Sequence, residues 1–234
     1  MKTNKVILTT VIATFMLLPL LNSAGGLPIG AALSSISTES VPFSATKKTR
    51  FPKNSSAVDN SNNAIPDKLY NDLQCTQYTK PNAEQQGCLF RKFAIPGSSN
   101  MLVAVAFGGV TDWRTTVLCV VTPTGSVIST LEAYVDYFPY VAVKQFRITA
   151  QNKIIISKIV PATSTPIMFE NFTSFVGQRV DVTYAINSQG KFVQISSQTF
   201  PSKTYTRSYL ENENINIWDD NSSVVPGYQP GGGG

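Results

Sequence analysis

Histidine is absent from all 234 residues, and that absence removes more chemistry than any residue present supplies. Without an imidazole there is no Ser-His-Asp or Cys-His nucleophile system, no HExxH zinc site and no histidine-ligated haem. Cysteine is nearly as scarce: Cys75, Cys88 and Cys119 fall short of a four-thiolate zinc or iron–sulfur site in a monomer. GxGxxG, phosphate-loop and GxSxG patterns do not occur, so no cofactor is expected. Charge is thin as well, with Asp, Glu, Lys and Arg together at 14%. No long helical pattern recurs once the first two dozen residues are passed.

What is present begins at the N-terminus. Lys2 and Lys5 precede a largely apolar run from Val6 to Leu21, followed by Asn22, Ser23, Ala24 and Gly25. That order reads as a secretory signal peptide over residues 1–24, cleaved between Ala24 and Ala32, since a permanent span needs roughly 20 apolar residues. The expected location is therefore secreted, periplasmic or at the cell envelope, with no stable membrane span once the signal is gone. No cysteine follows the apolar run closely enough for lipidation. The net charge of +5, less the two lysines of the leader, leaves about +3. Such mild charge, dispersed along the chain, solubilises and makes nucleic acid a poor partner.

In an oxidising compartment Cys75 and Cys88 are the expected disulfide, closing a short turn-rich loop worth about 3 kcal/mol through the unfolded chain. Cys119 lies in the apolar stretch Thr-Val-Leu-Cys-Val-Val, where a cysteine behaves as a small buried hydrophobe.

Residues 33–63 are rich in Ser, Thr, Asn and Lys and are expected to form a disordered polar arm. Ile65, Leu69 and Leu73 recur on one helical face after Pro66 and Asp67, which predicts a short helix there. From Leu89 the texture turns to β. Met101–Phe107 and Thr115–Val121 are apolar on both faces, as in strands covered from two sides. Thr122-Pro123-Thr124-Gly125, Ala150-Gln151-Asn152 and Asn187-Ser188-Gln189-Gly190 read as hairpin turns, and the pattern around Lys144 predicts a bulge. Val180, Val182, Tyr184 and Ile186 alternate with Arg179, Asp181, Thr183 and Ala185, so one face should meet the core and the other water. Residues 124–128 and 189–193 are partly alike, though the chain is too short for a closed propeller. Ile217 and Trp218 are placed to dock as an edge or a plug, and residues 221–234 should be a flexible Gly-rich tail. The fold class is therefore all-β, an antiparallel sandwich or open barrel of about eight strands in a single domain over 64–220, with one short N-terminal helix.

Trp113 and Arg114 in one connection, and Tyr134, Tyr137, Phe138 and Tyr140 around another, supply the candidate contact surface. Aromatics on the loops of a rigid scaffold give large contact area at low entropic cost, and stack on sugars or grip peptide anchors. The expected activity is non-enzymatic binding of a glycan or an extracellular protein. Two rivals follow from the same residues. One is a histidine-free carbohydrate-active hydrolase using a pair among Glu132, Asp136, Glu170 and Asp181, roughly 5 to 9.5 Å apart. The other is a subunit of an extracellular assembly that donates the 33–63 arm through Val41-Pro42-Phe43. Asp219-Asp220-Asn221-Ser222 lacks the spacing of a calcium loop and reads as a polar turn, so no metal is expected.

Overall fold

The computed structural model describes residues 33–34, 36–46, 49, 86–108, 114–136, 141, 143–168, 170–212, 214 and 216–219. The chain is all-β. Its strands are β1 (Thr38–Glu39), β2 (Phe43–Ala45), β3 (Gln86–Ala94), β4 (Met101–Gly108), β5 (Arg114–Val121) and β6 (Val127–Asp136). They continue with β7 (Val143–Ile148), β8 (Ile154–Pro161), β9 (Ser174–Ile186), β10 (Phe192–Thr199) and β11 (Lys203–Thr206), before a five-residue helix α1 (Arg207–Glu211). All eleven strands join one open sheet, three more than the rough sequence estimate of about eight.

Two antiparallel meanders of four strands each, β3–β6 and β7–β10, make up most of that sheet. They are stitched at the β6–β7 junction by only two register pairs, Val135↔Lys144 and Asp136↔Val143. A shared apolar cluster does the joining. Leu102, Ala104, Leu118 and Val120 of the first meander pack with Phe146, Ile148, Ile154 and Ile156 of the second. The opposite face of the first meander buries Val103, Val105, Val117 and Cys119 with Leu33 and Ile36. The remaining face of the second carries Ile159, Phe175, Tyr205, Tyr209, Ile217 and Trp218. Both central strands β4 and β5 are thus covered on two sides, as their unbroken apolar runs predict.

Three hairpins use one turn design. In 122–126, 149–153 and 187–191 the first residue's N–H donates to the fifth carbonyl, and the fourth N–H donates back to the first carbonyl. The fourth position takes a positive φ: 85° at Gly125, 58° at Asn152 and 75° at Gly190. A side-chain oxygen at the first position, on Thr122, Thr149 or Asn187, then accepts from the fifth N–H. This is the three-residue hairpin loop with a left-handed final residue, which favours Gly or Asn. The similarity between residues 124–128 and 189–193 has the same origin, since each marks the third turn of a four-stranded meander.

Several expectations are corrected. The first part of the predicted disordered arm is structured: Leu33 and Ile36 are buried, β1 runs parallel to β3, and β2 pairs antiparallel with β7. Phe43 lies edge-on to Phe93 with ring centroids 5.1 Å apart and tilted against Phe146 at 5.9 Å. The arm segment put forward for donation to another subunit is therefore used within its own chain. No bulge occurs at Lys144, because the β7–β8 register is regular from Lys144 to Ile148. Apolar residues on both faces of β7 reflect burial on both faces, by Val143 in one cluster and Phe146 in another. The helix expected at 65–73, the leader and the tail lie outside the described residues.

Candidate functional site

At one end of the sheet, Gly108 pairs with Arg114 and Arg114 with Asp136. The connections leaving Gly108 and Asp136 therefore start from neighbouring strand ends, and Val141 re-anchors the second by donating to Ile167 O at 2.8 Å. Trp113, Tyr137, Phe138 and Tyr140 lie outside the described residues, and Arg114 is described by its backbone as the first residue of β5. Tyr134 is corrected from loop contact to core. A register shift between Thr116 and Val117 leaves Ala133 as the extra residue of β6, and Tyr134 enters the cluster between the meanders, 1% exposed.

The opposite end carries the hairpin turns. There Gly190 sits against Ile128 and Val120, with Ser129 Oγ donating to Gly190 O at 2.6 Å, which closes one half of that end. The other half stays open. A cleft of about 320 Å³ separates the β3–β4 turn from the β7–β8 turn, with Phe93, Ile95, Leu102, Ile148 and Ile186 as apolar wall and Gln151, Asn152 and Lys153 at the rim.

On the far face of the second meander, a buried ion network replaces the solvent-facing row that alternation predicts along β9. Arg179 is 3% and Asp181 9% exposed. Arg179 Nε lies 3.2 Å from Asp181 Oδ1, and Arg147 Nη2 donates to Asp181 Oδ2 at 3.5 Å. The segment at 216–219 covers them: Arg179 Nη1 donates to Ile217 O at 3.0 Å, and Ile217 N donates to Gln145 Oε1 at 2.9 Å. The Arg179 guanidinium stacks over Phe200, 3.5 Å from the ring centroid, and that of Arg147 lies 5.3 Å from Trp218. Local alternation missed this network because the covering residues sit far along the chain. The apolar pair Ile217–Trp218 in a polar stretch was the available signal.

Cations hold two of the four carboxylates put forward for a hydrolase, Glu132 and Asp181. Glu132 pairs with Lys144, Glu39 with Arg91, Asp181 with two arginines and Glu211 with Arg207. Glu170 is exposed, and the Asp136 side chain is outside the described set. Among the described residues, no cluster of His, Cys, Asp and Glu is placed to hold a metal ion. Cys88 lies in β3 opposite Ala106, while its expected partner Cys75 is outside the described residues. No described helix is long and apolar enough to cross a membrane.

Among the described residues the sheet is open at both ends of its strand order, since the two-residue β1 pairs only Lys92 and Phe93 of β3. No described strand pairs the outer side of β10, which ends the strand order. Val193 is 42% and Ile195 51% exposed there, and Phe192–Thr199 contains no charged residue. Fold and surface together define an all-β protein of two stacked meanders with an uncharged free edge. No family model, curated protein or solved structure matches the chain.

Proposed function

We propose that the chain is an exported, non-enzymatic binding protein that takes an extended segment of an extracellular or cell-envelope protein along β10. The observation carrying this reading is the free edge itself. Edge strands in monomeric proteins are commonly blunted by charge, proline or a cover, since their unpaired N–H and C=O groups template another strand. β10 has a register shift between Gln194 and Ser196 but neither charge nor proline, and it presents Val193 and Ile195. Strand addition draws affinity from the main chain and selectivity from such side chains. Pairing of Glu132 and Asp181 with cations favours binding over hydrolysis. The Lys2–Gly25 pattern supports export, and a Cys75–Cys88 disulfide belongs to the same reading. A glycan contact through Trp113, Tyr137, Phe138 and Tyr140 is the second form of it, favoured by the adjacent strand ends at Gly108 and Asp136.

The test uses protein and glycan capture by the purified chain and by Ile195→Lys and Val193→Lys variants, with circular dichroism as a folding check. The expected result is one defined protein partner whose capture falls at least about tenfold in both variants, as loss of roughly 1.4 kcal/mol would give. Equal capture by variants and parent would refute the edge. Retained glycan binding lost with Trp113→Ala would move the site to the aromatic connections.

A further inference from the structure

We propose that the cleft between the β3–β4 and β7–β8 turns binds a small amphipathic anion, an acyl chain of medium length ending in a carboxylate. The cleft adjoins the start of β10, since Ala185 and Ile186 pair with Val193 and Phe192, but it lies between the two turns and not along the outer side of that strand. Its volume of about 320 Å³ lies at the small end of the range for ligand sites, about 300–1,000 Å³. It equals roughly ten water volumes of about 30 Å³ each, which suits a single medium acyl chain and excludes a two-chain lipid.

The walls match the chain. Phe93 and Leu102 come from the first meander, and Ile148 and Ile186 from the second, so an apolar guest would extend the same cluster that joins the two.

The rim matches the head group. Within the β7–β8 turn, the backbone N–H groups of Gln151, Asn152 and Lys153 are all taken up by Thr149, through its hydroxyl or its carbonyl. The side chains at these three positions have no hydrogen-bond or ion-pair partner among the described residues, and Asn152 is held at φ 58°. Among the described residues no Asp or Glu lines the cleft, and Lys153 is the one charged residue there. A cationic rim over an apolar pocket selects an anion over an alcohol or amine of equal length.

The experiment is titration calorimetry of the purified chain with decanoate, decanol and decyltrimethylammonium, each below its micelle concentration. Expected are saturable one-to-one binding of decanoate, weaker binding of decanol, and none of the cation. Lys153→Gln should weaken decanoate about two- to fivefold, the range of a solvent-exposed ion pair, and leave decanol unchanged. Ile186→Trp, which fills the cleft, should abolish both. Should that variant fail to fold, Ala94→Trp blocks the same opening from the exposed rim. No saturable decanoate binding, equal affinity for decanol, or binding that survives both blocking variants would overturn the proposal. Because Ile186 pairs with Phe192 of β10, partner capture is compared with Lys153→Gln and Ala94→Trp, which lie outside β9 and β10, so failure of one proposal is distinguishable from failure of the other.

Discussion

At the residue scale, two glycines with similar backbones have different neighbours and so separate two energetic effects. Gly97 and Gly190 hold φ at 71° and 75°. A Cβ at Gly97 would meet nothing within 4 Å, whereas at Gly190 it would lie 3.2 Å from Ile128 and from Val120. Gly97→Ala should therefore cost only the left-handed penalty of about 1–2 kcal/mol. Gly190→Ala should cost that plus overpacking of roughly 1–3 kcal/mol, because the turn is wedged against the first meander. Urea unfolding of both variants checks this, and equal losses would mean that Ile128 and Val120 yield freely. Gly190, like Gly125, was legible from sequence because turn chemistry is local, whereas Gly97 was not singled out. The burial of Arg179 and Asp181 was not legible. Their alternation with Val180 and Val182 correctly gives their face but not what lies over it, and the cover, Ile217–Trp218, arrives after two more strands.

At the element scale, the same division between local and distant causes explains which strands could be read. Strands β4 and β5 lie within one residue of their predicted limits, since each is a run of apolar or β-branched residues ended by a turn. β1, β2 and β11 were missed. They are two, three and four residues long, too short for periodicity to register, and β1 and β2 sit in a polar stretch whose order comes from their partners. Thr38 and Glu39 gain β3, with a Glu39–Arg91 ion pair at 3.3 Å; Lys92 Nζ donates to Leu33 O at 2.7 Å; and Phe43 fills the seam between Phe93 and Phe146. A strap held by side chains and a few backbone pairs should be separable from the sheet. Deleting residues 33–46 is expected to cost about 3–5 kcal/mol, the scale of removing one large aromatic from a core. A synthetic peptide of that segment added in trans should restore most of the unfolding midpoint, with a dependence on peptide concentration set by mass action. A deletion that leaves the midpoint unchanged, or a Phe43→Ala peptide that rescues as well as the parent, would show that the strap contributes little.

For the whole molecule, the question is whether two meanders joined by so few strand pairs behave as one folding unit. Hydrogen bonding alone argues against it, because the β6–β7 junction has two register pairs while β5–β6 and β8–β9 have eight each. Packing argues for it. The central cluster takes Leu118 and Val120 from one meander and Ile154 and Ile156 from the other, each nearly inaccessible to solvent. Unfolding either meander would expose the apolar face of its neighbour at about 25 cal/mol per Å², and a few large side chains then outweigh the net value of several backbone hydrogen bonds, about 1 kcal/mol apiece. The turn contact of Gly190 with Ile128, and the strap that pairs with β3 and with β7, add ties at two further places. Native-state hydrogen exchange should accordingly give the central amides of β4 and β8 the same opening free energy to within about 1 kcal/mol, with the same denaturant dependence. If β8 opened well below β4 with a slope near half the global value, the meanders would be separate cooperative units. The cleft at their seam would then be a gap between two bodies, and Ile186→Trp would be expected to push them apart without stabilising either.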